Sequence, residues 1–125
     1  MDIFIKKNDR VTVEVYAWSD EAGNIDAASD KKDVPKNATE VDVVKFVCRR
    51  PNNSDSSRIL GSAGFSSETG APTNIMEFQN EALRTLLVEI ETDGEKLTAK
   101  QRTIDNLHPA VARAAVAGLL EQVSI

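Results

Sequence analysis

Arg10 to Trp18 alternates cleanly: Val11, Val13, Val15 and Ala17 fall on one side, Thr12, Glu14, Tyr16 and Trp18 on the other. The two-residue period and the β-forming residues predict a half-buried strand. Ile3 to Ile5 is a shorter alternation. With Asn8-Asp9 as a turn, it predicts a hairpin with the first strand. Residues 19–39 are polar, with Gly23-Asn24 and Pro35, and read as a long loop of the kind that is functional or mobile. Residues 40–50 return to strand character. Val41, Val43 and Val47 share one face and Val44, Phe46 and Cys48 the other, so both faces ask for cover, from this chain or from a partner. Pro51 stops the strand.

Beyond Pro51 the period changes. Asn53 or Ser54 caps a short helix over residues 55–61, and residues 61–72 form a flexible loop. Asn74, with Glu77 three residues on, opens the clearest helix. Ile75, Met76, Phe78, Ala82, Leu83, Leu86, Leu87 and Ile90 form its apolar stripe, and Asp93-Gly94 ends it. Thr98 and Gln101 suggest a second capping box for a helix to Asn106. Pro109 suits the first turn of a last helix over residues 109–123, whose apolar positions are mostly small. Small residues permit close helix contact, within the core or with another copy. The pattern predicts one α+β domain over residues 1–125. It has a strand-rich part (1–51) forming an antiparallel sheet and a helical part (52–125) packed on one sheet face.

Composition narrows the function classes. A chain of 125 residues hides roughly two-thirds of its unfolded surface and needs no staples. Fifteen basic against twenty acidic residues leave a net charge of −5, which repels phosphate and disfavours general nucleic-acid binding. Acidity concentrates late: residues 1–50 hold nine basic and ten acidic residues, residues 51–125 six and ten. The single Cys48 has no disulfide partner. No apolar run approaches the ~20 residues of a membrane span. The stretch MDIFIKKNDR has no signal-peptide core, so the cytoplasm is the expected compartment.

Candidate chemistry is sparse. His108, the only histidine, lacks a second soft ligand. A dyad with Cys48 needs the two to meet in space beside an orienting group, and a helix-capping role is simpler. Glu89, Glu91 and Asp93 with Gly94 echo the first half of a calcium loop, but Lys100 stands where the bidentate acid belongs. Gly61-Ser62-Ala63-Gly64 lacks the Gly-Lys-Ser/Thr ending of a phosphate loop. Ser54, Ser56 and Ser57 have no base. No metal, cofactor or catalytic set is expected, and the chain reads as non-enzymatic. Arg49-Arg50 is the one basic doublet near a strand end, suited to an acidic partner surface or to this chain's own carboxylates. Trp18 belongs to the core or to an interface. Val111, Leu119 and Val123 give the last helix an apolar stripe able to meet a partner.

Two stretches carry a resemblance: VDVVKFVCRRPNNSDSSRIL (41–60) and TIDNLHPAVARAAVAGLLEQ (103–122), with NIMEFQNEALRTLL between them. Together they resemble small tail-assembly-chaperone-type and related structural proteins of tailed bacteriophages. The resemblance implies a protein that binds other virion proteins of tail, neck or capsid, and copies of itself, with no chemistry of its own. It would reside in the virion or in the cytoplasm of the infected bacterial host. A tail assembly chaperone absent from the mature particle, and a non-viral acidic interaction module, are the alternatives.

Overall fold

The structure is a computed structural model that describes residues 3–125. Five strands form one antiparallel sheet: β1 (Arg10–Ser19), β2 (Ile25–Ala28), β3 (Val41–Arg49), β4 (Leu87–Thr92) and β5 (Glu95–Thr98), in the order β2-β1-β3-β4-β5. Four helices complete the α+β fold: α1 (Asn53–Ala63), α2 (Ile75–Leu86), α3 (Gln101–Asp105) and α4 (Pro109–Gln122). The α1–α2 pair links adjacent strands β3 and β4, and α4 returns across β1 and β2. The covered sheet face carries Val13, Val15, Phe46, Cys48, Leu87 and Ile90. These pack with Leu83 and Leu86 of α2, Ile59 of α1 and Leu119 of α4 in one core cluster.

The β1 alternation holds through Val15, with Val11, Val13 and Val15 buried; beyond it Tyr16 and Ala17 are both half-buried and Trp18, on the other side, is buried. The expected amino-terminal hairpin does not form. β1 pairs with β3 over Arg10–Trp18 and with β2 over Tyr16–Ser19, and Ile3, Phe4 and Ile5 stay exposed. Residues 19–39 are not a structureless loop. A tight turn returns the chain after β1: Asp20 Oδ1 accepts from the N–H groups of Ala22 and Asn24, both at 2.9 Å. The chain then pairs as β2 and closes a 3₁₀ turn over Lys31–Asp33.

The long helix expected over 74–93 ends at Leu86. Residues 87–98 are a hairpin whose two-residue turn, Asp93-Gly94, has φ of 50° and 77°, the positive values of a type I′ turn. A β-bulge explains why this strand looks helical. Cys48 pairs with Leu87 but Val47 pairs with Glu89, leaving Val88 extra. Leu87 and Ile90, three residues apart, therefore face the same core.

Helix ends also differ in detail. The α1 cap is Asn52, not Asn53 or Ser54, in a full capping box with Asp55. Asn74 caps α2 through Glu77 N–H as expected. Lys100, not Thr98, precedes α3, with no side-chain cap. His108 caps α4, its Nδ1 accepting from Ala110 N–H at 3.1 Å, and Pro109 follows at the first helical position.

Helix α4 lies against the sheet because its inward positions are small. A Cβ on Gly118 would stand 2.5 Å from Val13 Cγ1 and 2.8 Å from Ser29 Cβ, so only glycine allows this approach. Gly61 on α1 faces open space. Gly118→Ala is expected to destabilise the protein by about 1–3 kcal/mol through overpacking. Gly61→Ala is expected to stabilise it by about 0.5–1 kcal/mol through helix propensity. Urea denaturation of both variants checks the opposite signs.

Candidate functional site

The Arg49-Arg50 doublet divides its work. Arg49 turns inward as a bidentate partner of Asp55, Nη1 to Oδ2 at 3.0 Å and Nη2 to Oδ1 at 3.1 Å, while Nη2 also donates to Thr85 O at 2.7 Å. Asp55 further accepts from Asn52 N–H at 3.1 Å. Burial alone would push the Asp55 carboxyl up. The hydrogen bonds from Arg49 and Asn52, with the charges of Arg49 and Arg58, outweigh it and hold the group below its ordinary range. Arg49 is thus occupied within the fold and is no free anchor for a partner. Arg50 stays exposed and shares a cavity of about 280 Å³ with Ile5, Pro51 and Val123, so two of the residues expected to meet a partner come together there.

The remaining expected partner residues separate. Leu119 is 1% exposed in the main core and offers no surface, whereas Trp18, expected in the core or at an interface, is buried at 8% exposure. Leu119 points at the sheet because Gly118 lets the helix approach. Trp18 is enclosed by segments that the sequence presents as loop, Pro35, Ala38 and Thr39 among them. Val111 and Val123 are half-buried against the core.

The residues weighed for chemistry disperse as well. Cys48 is buried, which pushes its thiol up to about 12, and His108 is exposed with Nδ1 engaged in its cap. Glu89, Glu91 and Asp93 belong to the β4–β5 hairpin, not to a helix-flanked loop. Among the described residues no group of three or more acidic, histidine or cysteine side chains is placed to hold a metal.

Two surfaces remain. The first is the sheet face that the helices leave uncovered. Strand register lines up Glu14, Lys45, Glu91 and Lys96 across four strands, an alternating row that satisfies cross-strand charge preference and keeps that part of the face wet. Beyond it the face turns apolar. Tyr16 and Val43 are paired, Val41 lies next on β3, and with Val34 and Lys31 they line a groove of about 370 Å³. Val41 is 38% and Val43 43% exposed. Tyr16 donates its hydroxyl to Glu14 Oε2 at 2.9 Å. That bond, then a small loss of solvent, then the charges of Glu14 and Asp30, raise the phenol above its ordinary value.

The second surface is a cleft of about 520 Å³ where α4 passes the β2 edge. Alanines of β2 and α4 form its walls. Trp18, Asp26, Asp33, Arg113 and Glu121 supply its aromatic and charged groups. Sequence reasoning did notice that β3 is apolar on both faces and that Tyr16 faces outward. It missed Val34, Asp26, Asp33, Arg113 and Glu121, which carry no local pattern and meet only through the fold. Comparison with protein-family models, curated proteins and solved structures gives no significant match to this chain.

Asp55→Ala is expected to cost about 2–4 kcal/mol near neutral pH, because it strands the Arg49 guanidinium and opens the capping box. The folded-state pKa of Asp55 lies below its unfolded value, near 3.8, so its stabilisation is full above that pH. It is lost as pH falls through the folded value. The gap between wild type and Asp55→Ala should therefore narrow only below about pH 4, as read by denaturation at several pH values. Tyr16 is the only tyrosine, so ultraviolet titration reports it alone. Glu14→Gln is expected to lower its apparent pKa toward the ordinary 10.0.

Proposed function

We propose that this chain is a non-enzymatic protein-binding module that works in an assembly, docking through the apolar corner of its open sheet face. The observation that carries this reading is the groove lined by Tyr16, Val41 and Val43 of the sheet face and by Val34 beside it, in which Val41 and Val43 are more than a third exposed. Gathered apolar surface on a folded domain favours association, because contact removes it from water. The charged row beside it supplies a solvated rim, and charges at a rim steer and orient an encounter more than they add affinity.

In its finer form, the proposal is that the assembly is a tailed bacteriophage. The chain then serves as a structural or assembly protein bound to tail, neck or capsid proteins and to copies of itself, in the virion or the host cytoplasm. Segments 41–60 and 103–122 support this form. Its alternatives are a chaperone that leaves before maturity and a non-viral acidic interaction module. Among the described residues no helix is long and apolar enough to cross a membrane.

Density-gradient fractionation of the native source, with peptide mass spectrometry of each fraction, tests both levels. Migration with intact particles at fixed stoichiometry is the expected result for a virion component. Recovery only beside an unassembled tail or capsid protein marks a chaperone, and a source without particles removes the phage form. Val43→Asp is expected to lower the bound fraction roughly tenfold, the loss that about 1.4 kcal/mol of contact produces, with the melting transition retained. Migration of the wild-type chain alone overturns the reading.

A further inference from the structure

Strand β1 is ten residues long, but β2 pairs with it only from Tyr16 to Ser19. From Arg10 to Val15 its second edge therefore has no strand beside it. Successive residues of an antiparallel strand turn their main-chain groups to opposite neighbours. Asp9 O accepts from Arg50 N–H, on the β3 side, at 3.2 Å, so Val11, Val13 and Val15 also bond toward β3. Arg10, Thr12 and Glu14 turn theirs outward. Among the described residues these outward groups have one hydrogen-bond partner, the Gln122 side-chain amide of α4, which donates to Thr12 O at 3.1 Å. An open edge of this kind is a template for another strand.

The side chains along the edge select which strand fits. Across the uncovered sheet face the row Lys96, Glu91, Lys45, Glu14 alternates in sign and stops at the edge on a carboxylate. Arg10, Thr12 and Glu14 are exposed and share that face. Neither Arg10 nor Glu14 makes an ion pair among the described residues. A two-fold axis through Thr12 brings a second β1 antiparallel to the first. Arg10 then lies opposite the partner's Glu14, Glu14 opposite the partner's Arg10, and Thr12 opposite the partner's Thr12. The charged row keeps its alternation into the second copy, and opposite-charge and Thr–Thr pairs are both favourable across strands. Moving the axis to Val11 or Val13 sets a charge against Thr12 instead. At Val13 it also drives Arg10 onto the partner's Tyr16, where β2 already pairs. The ladder fits the open stretch, because the Lys6–Asp9 turn bends the chain before Arg10 and β2 begins at Tyr16.

We propose that this chain forms a two-fold dimer by pairing β1 with β1 of a second copy over Arg10–Glu14, joining the two sheets edge to edge. Each opposed pair exchanges two main-chain hydrogen bonds. The partner's Thr12 N–H takes the place of the Gln122 amide on Thr12 O. So short a ladder makes a reversible dimer, since small interfaces associate weakly. The inference goes beyond docking at the apolar corner and does not require it. Val43 lies outside the ladder, and Val43→Asp is expected to leave the dimer intact.

Sedimentation velocity of the full chain from about 1 μM to 1 mM, the range of weak reversible contacts, is expected to show monomer passing into dimer. Hydrogen exchange at the Thr12 and Glu14 N–H groups is expected to slow over the same range. Arg10→Glu and Glu14→Arg, each alone, are expected to weaken the dimer at least about fivefold, because each sets like charges opposite in both symmetry-related pairs. Mixed in equal amounts, the two variants oppose unlike charges in both pairs, and association is expected to return to within about twofold of the wild type. Circular dichroism verifies that both variants fold. A chain that stays monomeric across the range overturns the proposal. So does a wild-type dimer whose Thr12 and Glu14 exchange is unslowed, a reading that needs no substitution. A mixture that associates no better than either variant by itself also overturns it. So does a dimer that Val43→Asp abolishes, which would place the contact at the apolar corner.

Discussion

One guanidinium joins three elements. Arg49 ends β3, pairs with the Asp55 carboxylate of the α1 capping box, and closes a last-turn carbonyl of α2. A helix end leaves backbone groups that need partners, and this contact serves two helix ends at once. Asp55 sits 6% exposed, where a carboxylate without a cation would be costly. The direction in which the α1–α2 pair leaves the sheet thus depends on this node. So does the seating of Leu83 and Leu86 against Phe46 and Ile90.

Helix α4 closes the other side of the core by a different route. Ala114, Ala115 and Gly118 let it lie close to β1, so contact density replaces large side chains. The same smallness leaves space where the helix passes β2. There the fold encloses Trp18 and leaves a cleft ringed by carboxylates. Close packing at Gly118 and the open cleft beside it follow from one choice of residue size.

All four helices come from outside the β1–β3 stretch, and they cover one sheet face. The other face is wet where Glu14, Lys45, Glu91 and Lys96 alternate, and apolar at the Tyr16–Val43 corner. The domain thus presents an apolar corner and, apart from it, a cleft lined by three carboxylates and one guanidinium. The proposed protein-binding function draws on the apolar corner. The motifs behind the phage resemblance also have work inside the fold: Arg49 in the ion-paired node, and His108-Pro109 in the start of α4.

Local pattern was enough for much of the architecture. The β1 and β3 alternation, the Asn74 cap, the Pro109 helix start and the α+β class are all legible in residue order, because each depends on neighbours within a few positions. The β4 strand was not, although Asp93-Gly94 between alternating residues is a hairpin signal, because the bulge at Val88 gives Leu87 and Ile90 a helix-like spacing. A bulge exists only against the strand it pairs with. The four-residue β2 carries no period of its own and becomes a strand through β1. Arg49 and Asp55 lie six residues apart, yet their meeting, with Thr85 as third partner, required the chain to fold back. The enclosure of Trp18 and the carboxylates around its cleft come from segments that are distant in sequence. Short-range order sets which elements form. Burial, ion pairing and surface chemistry depend on which elements meet, and only the tertiary structure decides that.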